Sequence, residues 1–140
     1  MPVKRDPPRI GIIGPRGLAG EALLRLIAKK SWARDITLIS SEAKVSGRVP
    51  FRSGSLAVKG YAEFLFKVES LDILIGFGDT GWTRTHLKKF FGKATYIVDE
   101  SSAYRLDNDV PLVVPEINGA ALDQPPKLIA SPNCTTTVLV

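Results

Sequence analysis

The chain has 140 residues, with 19 Lys and Arg against 14 Asp and Glu, so its formal net charge is +5 at pH 7. Hydrophobic residues make up 44% and charged residues 24%, a composition typical of one globular domain and unlike that of disordered, collagen-like or coiled-coil chains. One Cys and one His exclude an internal disulfide and a tetrahedral zinc site of these ligands, so no metal is expected.

The basic residues are scattered along the chain rather than gathered in one tract. The longest groupings, Lys29-Lys30 and Lys88-Lys89, fall inside predicted helices. They indicate a solvated helix face or, second, a surface that meets anionic small molecules, so no nucleic-acid partner is expected. No apolar run approaches the roughly 20 residues of a membrane-crossing helix. Met1 to Pro8 lacks the pattern of a signal peptide. We therefore expect no membrane contact and a cytoplasmic location.

Short apolar runs alternate with helical patterns along the chain, and no repeat or linker divides it. Strands that are apolar throughout and separated by helices are typical of a mostly parallel sheet covered on both faces. The sequence predicts a single doubly wound α/β domain of Rossmann type over residues 1–140. The predicted strands are Arg9 to Ile13, Ile36 to Ile39, Val49 to Phe51, Leu56 to Val58, Leu71 to Ile75, Thr95 to Val98, Leu112 to Val114 and Lys127 to Ala130.

Three helices are predicted between and after these strands. The first runs to about Lys30 and takes its apolar spacing from Leu18, Ala19, Ala22, Leu23, Leu26 and Ile27. The second carries Leu87, Phe90 and Phe91 inward and stops at Gly92. The third begins at Asn133 and ends in Val138-Leu139-Val140 without a cap. Such an ending indicates the front part of a longer protein.

A glycine-rich segment, Gly11 to Gly20, lies between the first strand and the first helix. Glycines let the backbone approach a pyrophosphate, and free N–H groups at a helix start attract its charge. The spacing is Gly-x-x-Gly-x-x-Gly, which is also compatible with a tight turn that binds nothing. Its position in the first strand–helix unit favours a nucleotide site. That site would use Gly14, Arg16, Gly17, Leu18, Ala19 and Gly20.

The loop after the second strand, Ser40 to Lys44, bears on the identity of a dinucleotide. A carboxylate at this place binds the ribose 2′-hydroxyl, whereas small and basic residues leave room for a 2′-phosphate. Ser41 and Lys44 favour NADP, and Glu42 favours NAD. A plain polar loop is an equally open alternative.

Two further segments follow strands at the same predicted edge of the sheet. Cys134 stands at the start of a helix, where free N–H groups and the helix dipole favour a nucleophilic thiolate. A lone cysteine is otherwise an inert small core residue. Arg105 ends the segment Asp99 to Arg105, where a guanidinium is suited to a phosphate; an ordinary surface arginine is the alternative.

These segments carry a family resemblance. The glycine loop, Asp99 to Arg105, Val110 to Asn118 and Ser131 to Thr135 follow one another in the order found in aspartate-semialdehyde dehydrogenases. The chain resembles the amino-terminal cofactor domain of that family over essentially its whole length. N-acetyl-glutamyl-phosphate reductases share the fold and chemistry but typically have Gly before the cysteine, so Asn133 favours the aspartate enzyme.

The resemblance implies NADPH-dependent reduction of L-aspartyl 4-phosphate to L-aspartate 4-semialdehyde, a step toward lysine, threonine and methionine. It assigns Cys134 as the nucleophile that forms a thioester. It assigns Asn133, Arg105 and Ser102 to substrate binding, and Gly78 to the cofactor site. The family's catalytic histidine, further substrate residues and dimer contacts lie in a second domain. We therefore expect this chain to be inactive alone and the full-length protein to be a homodimer or tetramer.

Three positions depart from the family pattern. Ala43 stands where the family has an arginine for the 2′-phosphate, with Lys44 beside it as a substitute. Asp79 brings a negative charge toward the cofactor phosphates if its loop keeps the usual path, and Glu100 replaces an asparagine. A non-catalytic nucleotide-binding protein of the same fold is therefore an alternative. The one histidine, His86, matches no catalytic position.

Overall fold

The computed structural model describes residues 6–66, 70–123 and 127–140, so Met1 to Arg5 of the segment tested for a signal peptide lie outside it. The strands are β1 (Arg9–Ile13), β2 (Asp35–Ser40), β3 (Arg48–Phe51), β4 (Gly54–Gly60), β5 (Leu71–Gly76), β6 (Ala94–Asp99) and β7 (Leu128–Ala130). The helices are α1 (Leu18–Ile27), α2 (Tyr61–Phe66), α3 (Thr80–His86), α4 (Pro115–Asn118) and α5 (Cys134–Leu139). Short 3-10 turns, Leu87–Phe90 and Gly119–Leu122, follow α3 and α4.

The described strands form one seven-stranded sheet of order β3-β4-β2-β1-β5-β6-β7. Neighbouring strands are parallel, apart from the antiparallel hairpin of β3 and β4 at one edge. Side chains alternate across the sheet, so Ile12 and Ile13, both fully buried, belong to different core clusters. The predicted doubly wound α/β fold is confirmed.

Each face of the sheet is covered by its own helices. On one face α1 places Leu24 and Ile27 in the cluster that holds Ile12. On the other, Phe64 of α2 and Phe90 of the 3-10 turn stack with ring centroids 5.9 Å apart. The short helix α2 is absent from the sequence-based prediction. No helix within the described ranges is long and apolar enough to cross a membrane.

Helix α1 differs from the prediction in its inward face. Gly20, Leu24 and Ile27 are its buried residues, whereas Leu18 and Leu26 are exposed. The helical spacing of apolar residues placed Leu18 and Leu26 on the same inward face as Leu23 and Ile27. Contact with the β3–β4 hairpin and the sheet keeps the predicted Ile27 buried but centres the inward face on Leu24.

The helix ends at Ile27 rather than near Lys30, and Arg52 at the tip of the β3–β4 hairpin bonds the segment that follows it. Its guanidinium donates hydrogen bonds to the backbone carbonyls of Ala28 (3.2 Å), Lys30 (2.7 Å) and Ala33 (2.8 Å). Carbonyls at a helix end lack intrahelical partners, and a cation there also meets the negative end of the dipole. Arg52 thus links the hairpin to the end of α1 and donates hydrogen bonds to carbonyls of the segment that follows the helix.

We expect Arg52→Ala to lower the free energy of unfolding by about 1–3 kcal/mol, because the substitution leaves these carbonyls without a charged donor. Alanine retains the unfavourable positive backbone angle of Arg52 (φ 54°), so no strain is relieved in compensation. Urea denaturation measures the difference. Arg25→Ala is the matched control, since among the described residues Arg25 forms an exposed ion pair with Glu21 of the same helix, and its loss should cost less than about 0.5 kcal/mol. Equal losses in the two variants would contradict this role.

Two further predictions were wrong in detail. Leu112 to Val114 forms no strand; Leu112 makes a single bridge to Ala130 of β7. The Asn118 side chain accepts from the N–H of Val114 and donates to the carbonyl of Leu112, so a local turn uses groups that a strand would need. Phe91 is partly exposed because the chain leaves the 3-10 turn at that residue.

Candidate functional site

The carboxyl ends of five parallel strands lie level at one edge of the sheet. In register, Ile39, Ile13, Gly76, Asp99 and Ala130 stand side by side across β2, β1, β5, β6 and β7. From β1 the chain runs to β2 and then to β3 and β4 on one side, and after β4 it crosses to β5 on the other side of β1. Open α/β sheets bind ligands in the crevice at such a switch point.

The glycine loop starts at this switch point, and two of its glycines are required by the fold. Gly14 has a positive φ of 75°, and a Cβ there would lie 2.9 Å from the carbonyl oxygen of Phe77. A Cβ on Gly20 would lie 2.3 Å from the carbonyl oxygen of Gly14, so α1 packs directly on the loop. Gly17 is different: a Cβ there meets only the oxygen of Gly14, at 3.5 Å, which is ordinary contact. The fold by itself therefore leaves room for a side chain at position 17.

The start of α1 has no side-chain cap. Gly17 is its N-cap residue, and no side chain accepts from the first turn, which contains Leu18 and Ala19. In contrast, Asp79 caps α3 and Asn133 caps α5 through their side-chain oxygens. The first N–H groups of a helix have no intrahelical partner, so the start of α1 offers them to an external anion.

The side chain of Arg16 connects the glycine loop to the loop after β2. Its guanidinium donates to the carbonyl of Ser46 at 3.0 Å and fills the space beside Gly47, where a Cβ would lie 2.4 Å from Nη2. Ser41 and Lys44 are exposed on the same loop. Arg16, predicted as part of the glycine-loop site, thus ties that loop to the one that carries Ser41 and Lys44, the residues predicted to favour NADP.

A cleft of about 620 Å³ runs beside the glycine loop, between α1 and the β3–β4 hairpin. It is lined by Arg16, Arg25, Arg48 and Arg52, with Glu21 as the acidic residue among its lining side chains. These arginines are 36 residues apart at the extremes, from 16 to 52, so the sequence alone does not bring them together. The cleft gives this flank of the glycine loop a positive character that attracts anions.

The loop after β5 packs tightly on α3. A Cβ on Gly78 would lie 2.7 Å from Thr83 Oγ1 and 2.9 Å from the indole ring of Trp82, so this glycine is needed for packing. Asp79, expected to bring negative charge toward cofactor phosphates, instead accepts from the N–H of Trp82 at 2.9 Å. Its carboxylate is thus engaged as the cap of α3.

The loop after β6 is shaped by a fully buried carboxylate. Asp99 accepts from the backbone N–H and the hydroxyl of Ser101, both at 3.0 Å. Burial raises the pKa of Asp99 above its usual range, and the hydrogen bonds from Ser101 and the charge of Arg105 oppose that rise. At the surface end of this loop, Ser102 Oγ lies 2.7 Å from Thr80 Oγ1 of α3. Asp99 is not among the site residues predicted from the sequence.

Arg105 joins the loops that follow β6 and β7. Its guanidinium donates to the carbonyl of Ser131 at 2.8 Å and to that of Glu100 at 3.0 Å. Ser131 lies three residues before Cys134, so Arg105 and the cysteine segment are brought to the same place. A guanidinium has five N–H groups, so further donors remain for an anion.

Cys134 is the first residue of α5 and is exposed. The preceding Asn133 accepts through Oδ1 from the backbone N–H of Thr136 (2.9 Å) and from its hydroxyl (3.1 Å). No residue within the described ranges accepts a hydrogen bond from Nδ2 of Asn133, so this amide group can donate to a ligand. The arrangement provides an accessible thiol with an amide donor beside it. His86 lies on α3 and stacks on Trp82, with ring centroids 5.0 Å apart.

Trp82 is a residue that the sequence analysis missed. Its indole Nε1 donates to the carbonyl of Ser41 at 2.7 Å, which links α3 to the loop after β2. The two residues are 41 positions apart, and nothing in the local sequence of either one points to the other.

Comparison with known proteins agrees with this geometry. The family model "Semialdehyde dehydrogenase, NAD binding domain" matches residues 9–125. Aspartate-semialdehyde dehydrogenase of Prochlorococcus marinus is 34% identical over 140 residues, which is 99% of this chain and 40% of that protein. The Bacillus subtilis enzyme of the same name is 28% identical over 132 residues, 94% of this chain and 38% of that protein. The chain thus spans about 40% of the length of these curated relatives.

Solved structures share the fold. Aspartate semialdehyde dehydrogenase II of Vibrio cholerae, complexed with ASA, superposes with a TM-score of 0.80 at 24% identity, covering 94% of this chain and 43% of that one. The Candida albicans enzyme with NADP gives 0.69 at 21% identity, covering 93% and 44%. The loop–helix geometry at the switch point and the family match agree: the chain belongs to the semialdehyde dehydrogenase family, as its NAD-binding domain.

Proposed function

We propose that this chain is the cofactor-binding, cysteine-bearing part of an aspartate-semialdehyde dehydrogenase. The reaction is the NADPH-dependent reduction of L-aspartyl 4-phosphate to L-aspartate 4-semialdehyde. One observation carries the proposal. The glycine loop, which leads into a helix start without a side-chain cap, and the exposed Cys134 both follow strands whose carboxyl ends lie in register at one edge of the sheet. The names of the relatives support the choice of substrate.

The glycine loop fits a dinucleotide pyrophosphate. The N–H groups of Leu18, Ala19 and Gly20 face an N-cap without a side chain, and the space over Gly17 is the cradle that a Cβ would occupy. Gly14 adopts the positive φ that the turn after β1 requires, and Gly78 lets the loop after β5 pack closely on α3.

The ribose end of the cofactor would meet the loop after β2. Ser41 supplies a hydroxyl, and Lys44 and Arg16 supply positive charge for a 2′-phosphate. Lys44 thereby takes the role of the arginine that Ala43 replaces. NADP in the Candida albicans structure supports this choice of cofactor.

Cys134 and its neighbours would carry the acyl transfer. The sulfur attacks the acyl carbon, the bond from that carbon to the phosphate oxygen breaks, and phosphate leaves beside Arg105. The Nδ2 of Asn133 donates to the acyl oxygen, and Ser102 helps to hold the substrate. NADPH, when bound, supplies the hydride that reduces the thioester. Breakage of the carbon–sulfur bond then releases the aldehyde and restores the thiol.

A proton-transfer group is needed to complete the cycle. The sequence has one histidine, His86 of α3, and its ring is packed against Trp82 of the same helix and Tyr61 of α2. This chain spans about 40% of the length of its relatives. The general acid–base would therefore come from outside this chain.

The first test is cofactor binding by the chain itself, measured by isothermal titration. We expect saturable binding of NADPH, and weaker binding of NADH by about tenfold, because charge-assisted contacts to a 2′-phosphate contribute about 1.5–3 kcal/mol. We expect no reductase turnover by this chain alone. Failure to bind either cofactor, or rapid turnover by the isolated chain, would refute the proposal.

A further inference from the structure

The loop after β2, residues 41–47, presents the side chains that would distinguish a 2′-phosphate from a 2′-hydroxyl. Ser41 and Lys44 are exposed there, so the direction of each side chain depends on how firmly the backbone is held. The contacts that hold this backbone therefore bear on cofactor specificity, given the proposed cofactor function on which this inference rests.

One anchor comes from α3. The indole Nε1 of Trp82 donates to the carbonyl of Ser41 at 2.7 Å. The backbone N–H of Trp82 is itself fixed, because it donates to the carboxylate of Asp79 at 2.9 Å. The indole ring stacks on His86 with an interplanar angle of 16°. The donor is therefore held in place from both the main chain and the ring.

A second anchor comes from the start of α2. The N–H of Tyr61 donates to the carbonyl of Glu42 at 3.0 Å. A Cβ on the preceding Gly60 would lie 2.2 Å from the carbonyl oxygen of Ala43, so strand β4 packs against the loop without a gap. The two carbonyls that start the loop, those of Ser41 and Glu42, are thus both occupied.

The two anchors belong to one aromatic cluster. The ring of Tyr61 meets Trp82 edge-on at 5.7 Å and His86 at 4.9 Å between centroids. Edge-to-face pairs of this kind add stability beyond the area they bury. The cluster Tyr61, Trp82 and His86 therefore holds the loop as one unit with α2 and α3.

We infer that Trp82 is a positioning residue that sets the preference for NADPH over NADH. Its hydrogen bond orders the loop before the cofactor arrives, so Ser41 and Lys44 already face the ribose end. Without the bond, the loop must be ordered during binding, and preorganisation is lost. That loss falls on contacts to the 2′-phosphate, since the pyrophosphate is bound by backbone N–H groups at the start of α1, which the bond from Trp82 to Ser41 does not involve.

The test is Trp82→Phe, which removes the N–H donor and keeps an aromatic ring. We expect the dissociation constant for NADPH to rise about tenfold, the effect of one hydrogen bond of about 1.4 kcal/mol. That for NADH should change less than about twofold. Trp32→Phe is the matched control, because Trp32 is the other tryptophan and lies exposed outside the site. It should leave both constants unchanged.

A double-mutant cycle with Lys44→Ala separates positioning from general damage. If Trp82 acts through the loop, the losses of NADPH affinity in Trp82→Phe and Lys44→Ala are not additive. Additive losses, or equal losses for NADPH and NADH, would overturn the inference. Wild-type chain that binds neither cofactor would refute the proposed function itself. Wild-type preference for NADPH that survives Trp82→Phe would refute only the role of Trp82.

Discussion

Cys134→Ala is expected to abolish covalent capture of L-aspartyl 4-phosphate by this chain. Cys134 is the one cysteine in the sequence, and alanine has no nucleophile that can form the thioester. Intact-mass spectrometry after incubation with the acyl phosphate measures the adduct directly. In wild-type chain we expect a single acyl addition, and in the variant we expect none.

Controls separate acyl transfer from simple exposure of the thiol. Thr135→Ala alters the next exposed residue of α5 and should retain the adduct. Iodoacetamide, which carries no phosphate, should alkylate Cys134 in the wild type and in Arg105→Ala alike. Arg105→Ala should slow capture of the acyl phosphate about tenfold, because a charged donor to the leaving group contributes about 1.5–3 kcal/mol. An adduct that persists in Cys134→Ala would exclude Cys134 as the nucleophile.

The second large effect is expected for Gly17→Ala, which should weaken NADPH binding about 100-fold, or about 2.8 kcal/mol at 1.4 kcal/mol per tenfold change. The methyl group would occupy the place where the backbone approaches the pyrophosphate. The fold should tolerate it, because the backbone at Gly17 is extended (φ −73°, ψ 160°) and the nearest atom lies at 3.5 Å. Alanine is a poorer N-cap than glycine, so stability should fall by about 1 kcal/mol or less.

Gly54→Ala is the control for Gly17→Ala, since a Cβ at Gly54 meets nothing within 4 Å and Gly54 lies on the hairpin. It should leave NADPH binding unchanged. Gly20→Ala provides the opposite comparison: a Cβ there would lie 2.3 Å from a backbone oxygen, so we expect it to unfold or strongly destabilise the domain. Titration calorimetry and thermal denaturation on the same samples distinguish the effects. Unchanged NADPH affinity in Gly17→Ala would remove the loop from the cofactor site.

Local sequence was sufficient for most of the architecture. Runs such as Ile10 to Ile13 and, apart from Asp72, Leu71 to Ile75 place apolar side chains on both faces of a strand, and that pattern is typical of a central parallel strand. The strand–glycine–helix order predicts the switch-point loop, and the Asn133–Cys134 pair predicts a helix start. These features depend on neighbours in sequence, so sequence reasoning finds them. The assignments of individual site residues to cofactor or substrate stay predictions.

Other features depended on which elements meet. Spacing placed Leu18 and Leu26 on the apolar face of α1, but contact with the hairpin and sheet buried Leu24 instead. The run Leu112 to Val114 has strand-like composition, yet its backbone groups are taken by Asn118 and by one bridge to β7. Amino-acid composition gives a segment a preference for the strand conformation, and competition for its backbone hydrogen bonds decides whether a strand forms.

The sequence by itself therefore determined the alternation of strands and helices typical of a doubly wound sheet, the glycine loop and the cysteine at a helix start, because each strand, loop and helix start is specified by a short continuous segment. Only the tertiary structure decided how the site is braced. Arg52 reaches the end of α1, Arg105 joins the loops after β6 and β7, and Trp82 holds Ser41. Each bond links residues at least 19 positions apart, and their meeting follows from strand order and register rather than from any local pattern.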